Sequence, residues 1–310
     1  MLDVLIWVGV FCASIFFVVK SADWFSHGAE RLALSLGISP WVIGITLVAV
    51  GTSLPELFTS LASVFAGKVE LVADNIVGSN IANILLIIGL SAIIARKLAV
   101  ERDLIDLDLP LLVGSQVVLF FVLLDGSVNR IEGALSLIVF FIYIMYAAQV
   151  HKGEEVEKLK KDNLWKLSGI IVSSLAVLIV SSKFTIDSVI KLSDLFGISS
   201  SLIGITALAV GTSLPELMVS IMSAKRGAYE LSLGNIIGSN IFNGAGIIGI
   251  VSLVRPLVVS AEIMSVGLSF LVAATFMCVI SGISRRIHIW EGLMFLMVYV
   301  VFLAKLFGLF

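Results

Sequence analysis

Charge is scarce in this chain. Asp, Glu, Lys and Arg make up only 14% of its 310 residues, against 59% hydrophobic residues and a mean hydropathy of +1.13, which excludes a soluble globular domain. Cysteine is almost absent. Cys12 and Cys278 lie far apart within apolar runs, so neither a thiolate metal cage nor a disulfide framework is available, and both read as packing residues. The three histidines, His27, His151 and His288, lie outside the repeated segments described below and read as loop or interface residues. A net charge of -2 leaves no basic stripe for nucleic acid. The N-terminus has neither the basic region nor the small-residue cleavage site of a signal peptide, so its first apolar run is expected to be retained.

What the chain does have is long apolar runs. At about twenty residues per span, hydropathy predicts about ten transmembrane helices, centred near residues 12, 52, 82, 115, 140, 177, 212, 242, 270 and 298, with Trp24 to Leu36 extending the first. The predicted fold is an all-α integral membrane protein. The one polar stretch, from His151 to Lys166, carries Glu154, Glu155, Glu157, Lys158, Lys160 and Lys161 and reads as a plain connector. With alternating spans, the loops after spans 1, 3, 5, 7 and 9 hold about fourteen of the twenty Lys and Arg, which predicts a cytoplasmic linker and extracellular termini by the positive-inside rule.

GTSLPEL occurs twice, at Gly51 to Leu57 and at Gly211 to Leu217. Aligning Gly37 to Asn83 with Gly197 to Asn243, an offset of 216 − 56 = 160, gives about 28 identities in about 47 positions. Five spans separate each element from its copy, and five is odd. The halves are therefore expected to enter the membrane in opposite directions, with residues 1–150 the first five-helix repeat, 151–166 the linker and 167–310 the second repeat. In such inverted repeats, ion sites form near the midplane where the halves meet.

The repeated segment has the chemistry of a cation site. Pro55 and Pro215 interrupt a helix, so the carbonyls of Ala49 to Thr52 and of Ala209 to Thr212 are expected to face a cavity, where irregular backbone is tolerated at membrane depth. Thr52, Ser53, Thr212 and Ser213 add hydroxyls. An intramembrane carboxylate costs about 2.5 to 3.5 kcal/mol on insertion scales, and neither Glu56 nor Glu216 has a neighbouring Lys or Arg in its repeat. A bound cation is the natural counter-charge. Further along, Asn75, Ser79 and Asn83, and likewise Asn235, Ser239 and Asn243, are four apart and share a helix face. The donors are all oxygen or amide groups, which suits hard ions such as Na+ and Ca2+ and excludes zinc or copper. Asn80 and Asn240 fall off that face and read as helix-to-helix hydrogen-bonders. Gly244 to Gly249 matches GxGxxG, but with no preceding strand the match is accidental.

At GTSLPEL and at the two GSNIxN segments the chain resembles the cation/Ca2+ exchanger superfamily, in its prokaryotic sodium/calcium exchanger branch. The resemblance implies secondary active exchange of Na+ for Ca2+ by alternating access, without a cofactor and with no catalysed reaction, in a protein functional as a monomer. It implies that Glu56 and Glu216 are shared ligands of both ions and that the Thr52 and Thr212 carbonyls bind Ca2+. It implies further that the Ala49 and Ala209 carbonyls and the Ser53, Ser79, Ser213 and Ser239 hydroxyls serve Na+, with Asn83 and Asn243 completing the centre. Some relatives place Asp where this chain has Asn243. The site then has two carboxylates, so one Ca2+ neutralises it and three Na+ leave +1, which implies electrogenic exchange without K+. The first and sixth spans are implied as the moving gate. A Ca2+/H+ antiporter on the same scaffold is the nearest alternative. A cation channel is disfavoured because channels usually draw ligand rings from several subunits. An intramembrane hydrolase is disfavoured because two equivalent Pro-Glu contexts offer no asymmetry between its acids.

Overall fold

A computed structural model describes residues 2–100, 108–150, 163–195 and 211–309. Its helices are α1 (Leu2–Leu36), α2 (Pro40–Phe65), α3 (Glu70–Ala95), α4 (Leu109–Leu123), α5 (Arg130–Val150), α6 (Leu164–Leu195), α7 (Leu214–Lys225), α8 (Tyr229–Val254), α9 (Ile263–Ile283) and α10 (Ile289–Leu306). Eight are long and apolar enough to cross a membrane. The other two are α4, a shorter apolar helix, and α7, which is described from Leu214 onward. All ten expected spans thus have a helix. The extension of the first span is also observed, since α1 runs unbroken for 35 residues. Residues 151–162 of the linker lie outside the described residues, and α6 begins at Leu164.

Four short strands tie the halves together: β1 (Lys97–Ala99), β2 (Ser127–Val128), β3 (Leu257–Val258) and β4 (Arg286–His288). β1 pairs antiparallel with β4, setting Leu98 opposite Ile287, and β2 pairs with β3, setting Val128 opposite Leu257. These two ribbons are images of each other. Leu98 maps to Leu257 and Val128 to Ile287 by one offset, 257 − 98 = 287 − 128 = 159. The flanking bonds obey it too, with Val100 N donating to Arg285 O at 3.0 Å and Val259 N to Gly126 O at 2.9 Å. One ribbon joins the loops after spans 3 and 9, the other those after spans 4 and 8. Each ribbon therefore links two loops that an alternating ten-span chain puts on the same face. Matching caps follow: Asn129 N donates to Glu132 Oε2 at the start of α5, and His288 N to Glu291 Oε2 at the start of α10, both at 2.8 Å.

Burial separates a centre from a periphery. α3 and α8 are 83% and 89% buried over their apolar windows, against 17% for α1 and 28% for α6. A helix that is apolar nearly all round belongs inside a bundle, and α3 and α8 contribute Ile76, Ile81, Ile84, Ile236, Ile241 and Ile248 to the larger core. α1 and α6 pack on each other in a second cluster through Val18, Ala22, Phe25, Leu167, Ile171 and Leu178. Close passage of α2 over α8 depends on glycine. A Cβ on Gly238 would lie 2.7 Å from both Ile45 O and Ala49 Cβ, and one on Gly44 would lie 3.2 Å from Gly234 Cα. Cys278 is buried as expected; Cys12 is exposed, because it lies on the outward side of the peripheral α1, and is not a packing residue.

Candidate cation site

Both GTSLPEL segments break their helix at the serine. Ser53 has φ −87° and ψ 9°, and Ser213 has φ −83° and ψ 6°, the sparsely occupied bridge region. Helix resumes at Leu54 and Leu214 with Pro55 and Pro215 in its first turn, where a missing amide hydrogen is tolerated. Glu56 and Glu216 follow in that first turn, where the N-terminal end of the helix dipole favours negative charge. Both glutamates are completely buried.

The halves hold each other's acids. Ser53 Oγ donates to Glu216 Oε1 at 2.7 Å, and Ser213 Oγ donates to Glu56 Oε1 at 3.4 Å. The threonines cross over in the same way. Thr52 Oγ1 donates to Asn235 Oδ1 at 3.0 Å and Thr212 Oγ1 to Asn75 Oδ1 at 3.3 Å. Asn235 in turn donates through Nδ2 to Glu216 O at 3.3 Å and to Ser220 Oγ at 2.9 Å. Asn75 and Asn235 thus orient the threonines of the opposite repeat, a role that their spacing on the polar helix face foreshadows but does not specify.

The Ala49 carbonyl is shared rather than free. It accepts from Ser53 N at 3.1 Å, from Thr52 Oγ1 at 3.4 Å and from Ser239 Oγ at 3.3 Å. Its counterpart Ala209 lies outside the described residues. Asn83 opens a π-helical turn at Asn83–Ile88, and Asn243 is the second residue of another at Phe242–Ile247. Such turns alter the aim of side chains and recur at functional sites. Sequence periodicity gave no sign of them. Asn80 bridges the central helices, its Nδ2 donating to Asn240 O at 3.1 Å and to Gln116 Oε1 at 3.3 Å; Asn240 Nδ2 instead bonds Ile236 O on its own helix at 2.8 Å.

Among the described residues, several buried polar atoms of the candidate ligands have no hydrogen-bond partner: Glu56 Oε2, Glu216 Oε2, Ser79 Oγ and both amide atoms of Asn83 and of Asn243. Native proteins rarely leave such groups unmatched. Two carboxylate oxygens and two amide carbonyls, carried on four different helices and surrounded by hydroxyls, have the chemistry to take a hard cation.

Comparison with known proteins shows the family. The family model described as "Sodium/calcium exchanger protein" matches residues 6–149 and again 166–308. The chain is 34% identical over 304 residues to the uncharacterized membrane protein MJ0091 of Methanocaldococcus jannaschii, covering 96% of this chain and 97% of the relative. It is 31% identical over 336 residues to the sodium/calcium exchanger MaX1 of Methanosarcina acetivorans, covering 94% and 95%. Among solved structures it is similar to the sodium-calcium exchanger NCX_Mj soaked with zero Na+ and Ca2+, at 32% identity and a TM-score of 0.87 over 98% of this chain and 99% of that one. With a duplicated fold, a buried pair of acids shared between its halves, and a family match repeated over both, the chain belongs to the sodium/calcium exchangers of the cation/Ca2+ exchanger superfamily.

Proposed function

We propose that this protein exchanges Na+ for Ca2+ across the cell membrane, and that both ions compete for a centre built on Glu56 and Glu216. The observation that carries this reading is the set of buried, unmatched oxygens: Glu56 Oε2, Glu216 Oε2, Asn83 Oδ1 and Asn243 Oδ1. The carbonyls of Thr52 and Thr212 complete the Ca2+ sphere. Na+ on either side is held by Ser53, Ser79, Ser213 and Ser239 with the Ala209 carbonyl and the Ala49 carbonyl, which gives up the hydroxyl bonds from Thr52 and Ser239 to take the ion. Ions that share ligands exclude one another, and that exclusion is what couples the two fluxes.

Two carboxylates set the charge arithmetic. One Ca2+ leaves the site neutral and three Na+ leave it at +1, so exchange is electrogenic, and Asn243 in place of a third acid makes it independent of K+. Access alternates by movement of the peripheral pair α1 and α6 against the core. Support for this comes from unequal covering of equivalent helices: Val219 and Ser223 on α7 are fully buried, whereas their counterparts Thr59 and Ser63 on α2 are partly exposed. Both termini lie outside the cell and the linker inside, and the monomer suffices.

The test is 45Ca2+ uptake into proteoliposomes loaded with Na+ and diluted into Na+-free buffer. Glu56→Gln and Glu216→Gln are each expected to lower uptake by about 100-fold or more, since even outer-sphere changes cost up to that much. Uptake that survives both substitutions would remove the acids from the site.

A further inference from the structure

The core halves are near copies, yet among the described residues α1 is fastened to α7 by polar contacts for which α6 and α2 show no equivalent. Arg226 ends α7. Its Nε and Nη2 reach Asp23 Oδ1 at 2.8 and 2.7 Å, and its Nη1 lies 3.2 Å from His27 Nδ1. A guanidinium only donates, so the histidine nitrogen accepts. Asp23 and His27 are one turn apart on α1 and share a face. Nearby, Ser26 Oγ donates to Val219 O at 3.3 Å.

Moved by the repeat offset, these residues lose their chemistry. Asp23 becomes Lys183 (23 + 160), Ser26 becomes Ile186, His27 becomes Asp187, and Arg226 becomes Ala66 (226 − 160). The second interface cannot form an ion pair with Ala66, nor a hydroxyl bond from Ile186. Inverted repeats with identical contacts would weight their two access states equally, because each state would be the image of the other. A contact present on one side only breaks that balance.

We propose that Asp23 and Arg226, supported by His27, form a latch that holds α1 on α7 and favours the state closed on the face where α7 ends. This rests on the alternating-access reading above. The pair is partly exposed, at 26% for Asp23 and 33% for Arg226, so salt weakens it, and its loss shifts the two populations by about fivefold, the upper range for such pairs.

The experiment measures spin-label distances between Lys20→Cys on α1 and Lys225→Cys on α7 in the full-length protein carrying Cys12→Ser, in lipid nanodiscs. Asp23→Asn and Arg226→Gln are each expected to raise the separated population about fivefold over the unaltered latch, and the exchanged pair Asp23→Arg with Arg226→Asp to restore it. Raising ionic strength in the protein with the native pair is expected to mimic the single variants, a measurement that does not depend on how any variant folds. Two distances in the native pair that neither substitution nor salt redistributes would overturn the latch alone. A single distance under every Na+ and Ca2+ condition would overturn alternating access and the latch with it.

Discussion

On the proposed reading, Asn243 decides how charge moves through the site: with Glu56 and Glu216 as its only acids, the Na+-loaded centre would carry +1 across the membrane and the Ca2+-loaded centre none. Asn243→Asp adds a third negative charge and reverses this, so the Na+ leg becomes neutral and the Ca2+ leg carries −1. Transient currents on solid-supported membranes are expected to follow Na+ jumps in the native protein and Ca2+ jumps in the variant. The same leg carrying current in both would refute the two-carboxylate arithmetic. The acids themselves were legible in the sequence, because an intramembrane Glu without a basic neighbour requires a partner and here it occurs twice. Their reciprocal fixing by Ser53 and Ser213 of the opposite halves was not. A hydrogen bond between residues 163 apart in sequence follows from how the halves dock, which local spacing does not encode.

Among the elements, the crossing of α2 over α8 sets the distance between the helices that carry Glu56 and Asn243, two of the proposed ligands. That crossing is tight at Gly238, where an added methyl meets the Ile45 backbone and Ala49 at 2.7 Å and backbone yields little. Gly238→Ala is expected to destabilise the protein by about 1–3 kcal/mol through overpacking, read as a lower melting temperature in detergent. Gly169→Ala, with nothing within 4 Å of the new methyl, is expected to cause no such loss; equal behaviour of the two would show that the crossing is not close-packed in the membrane protein. Helix existence and number could be read from hydropathy, and the breaks from Pro55 and Pro215. The π turns at Asn83–Ile88 and Phe242–Ile247 were hidden, because one shifted hydrogen bond per turn leaves the composition of a helix unchanged. The strand ribbons were hidden too, being only two or three residues long and paired across the halves.

For the molecule as a whole, the duplicated sequence implies symmetry, and the fold departs from it in the covering of α2 and α7. The offset of 160 at the motif falls to 159 at the ribbons, so the second half is one residue shorter between Gly249 and Arg255, and both ribbons still form. Inversion was legible because the repeat spans an odd number of helices. The unequal covering of α2 and α7 was not, since it arises from where the peripheral pair rests, and Asp23 and Arg226 are 203 residues apart. Na+ and H+ coupling would use the same scaffold, and the direct discrimination is to impose each gradient separately. In proteoliposomes with the membrane potential clamped, an outward Na+ gradient at equal pH is expected to drive 45Ca2+ uptake, and a pH gradient of the same size without Na+ is expected to drive none. Uptake driven by the pH gradient alone would contradict Na+/Ca2+ exchange.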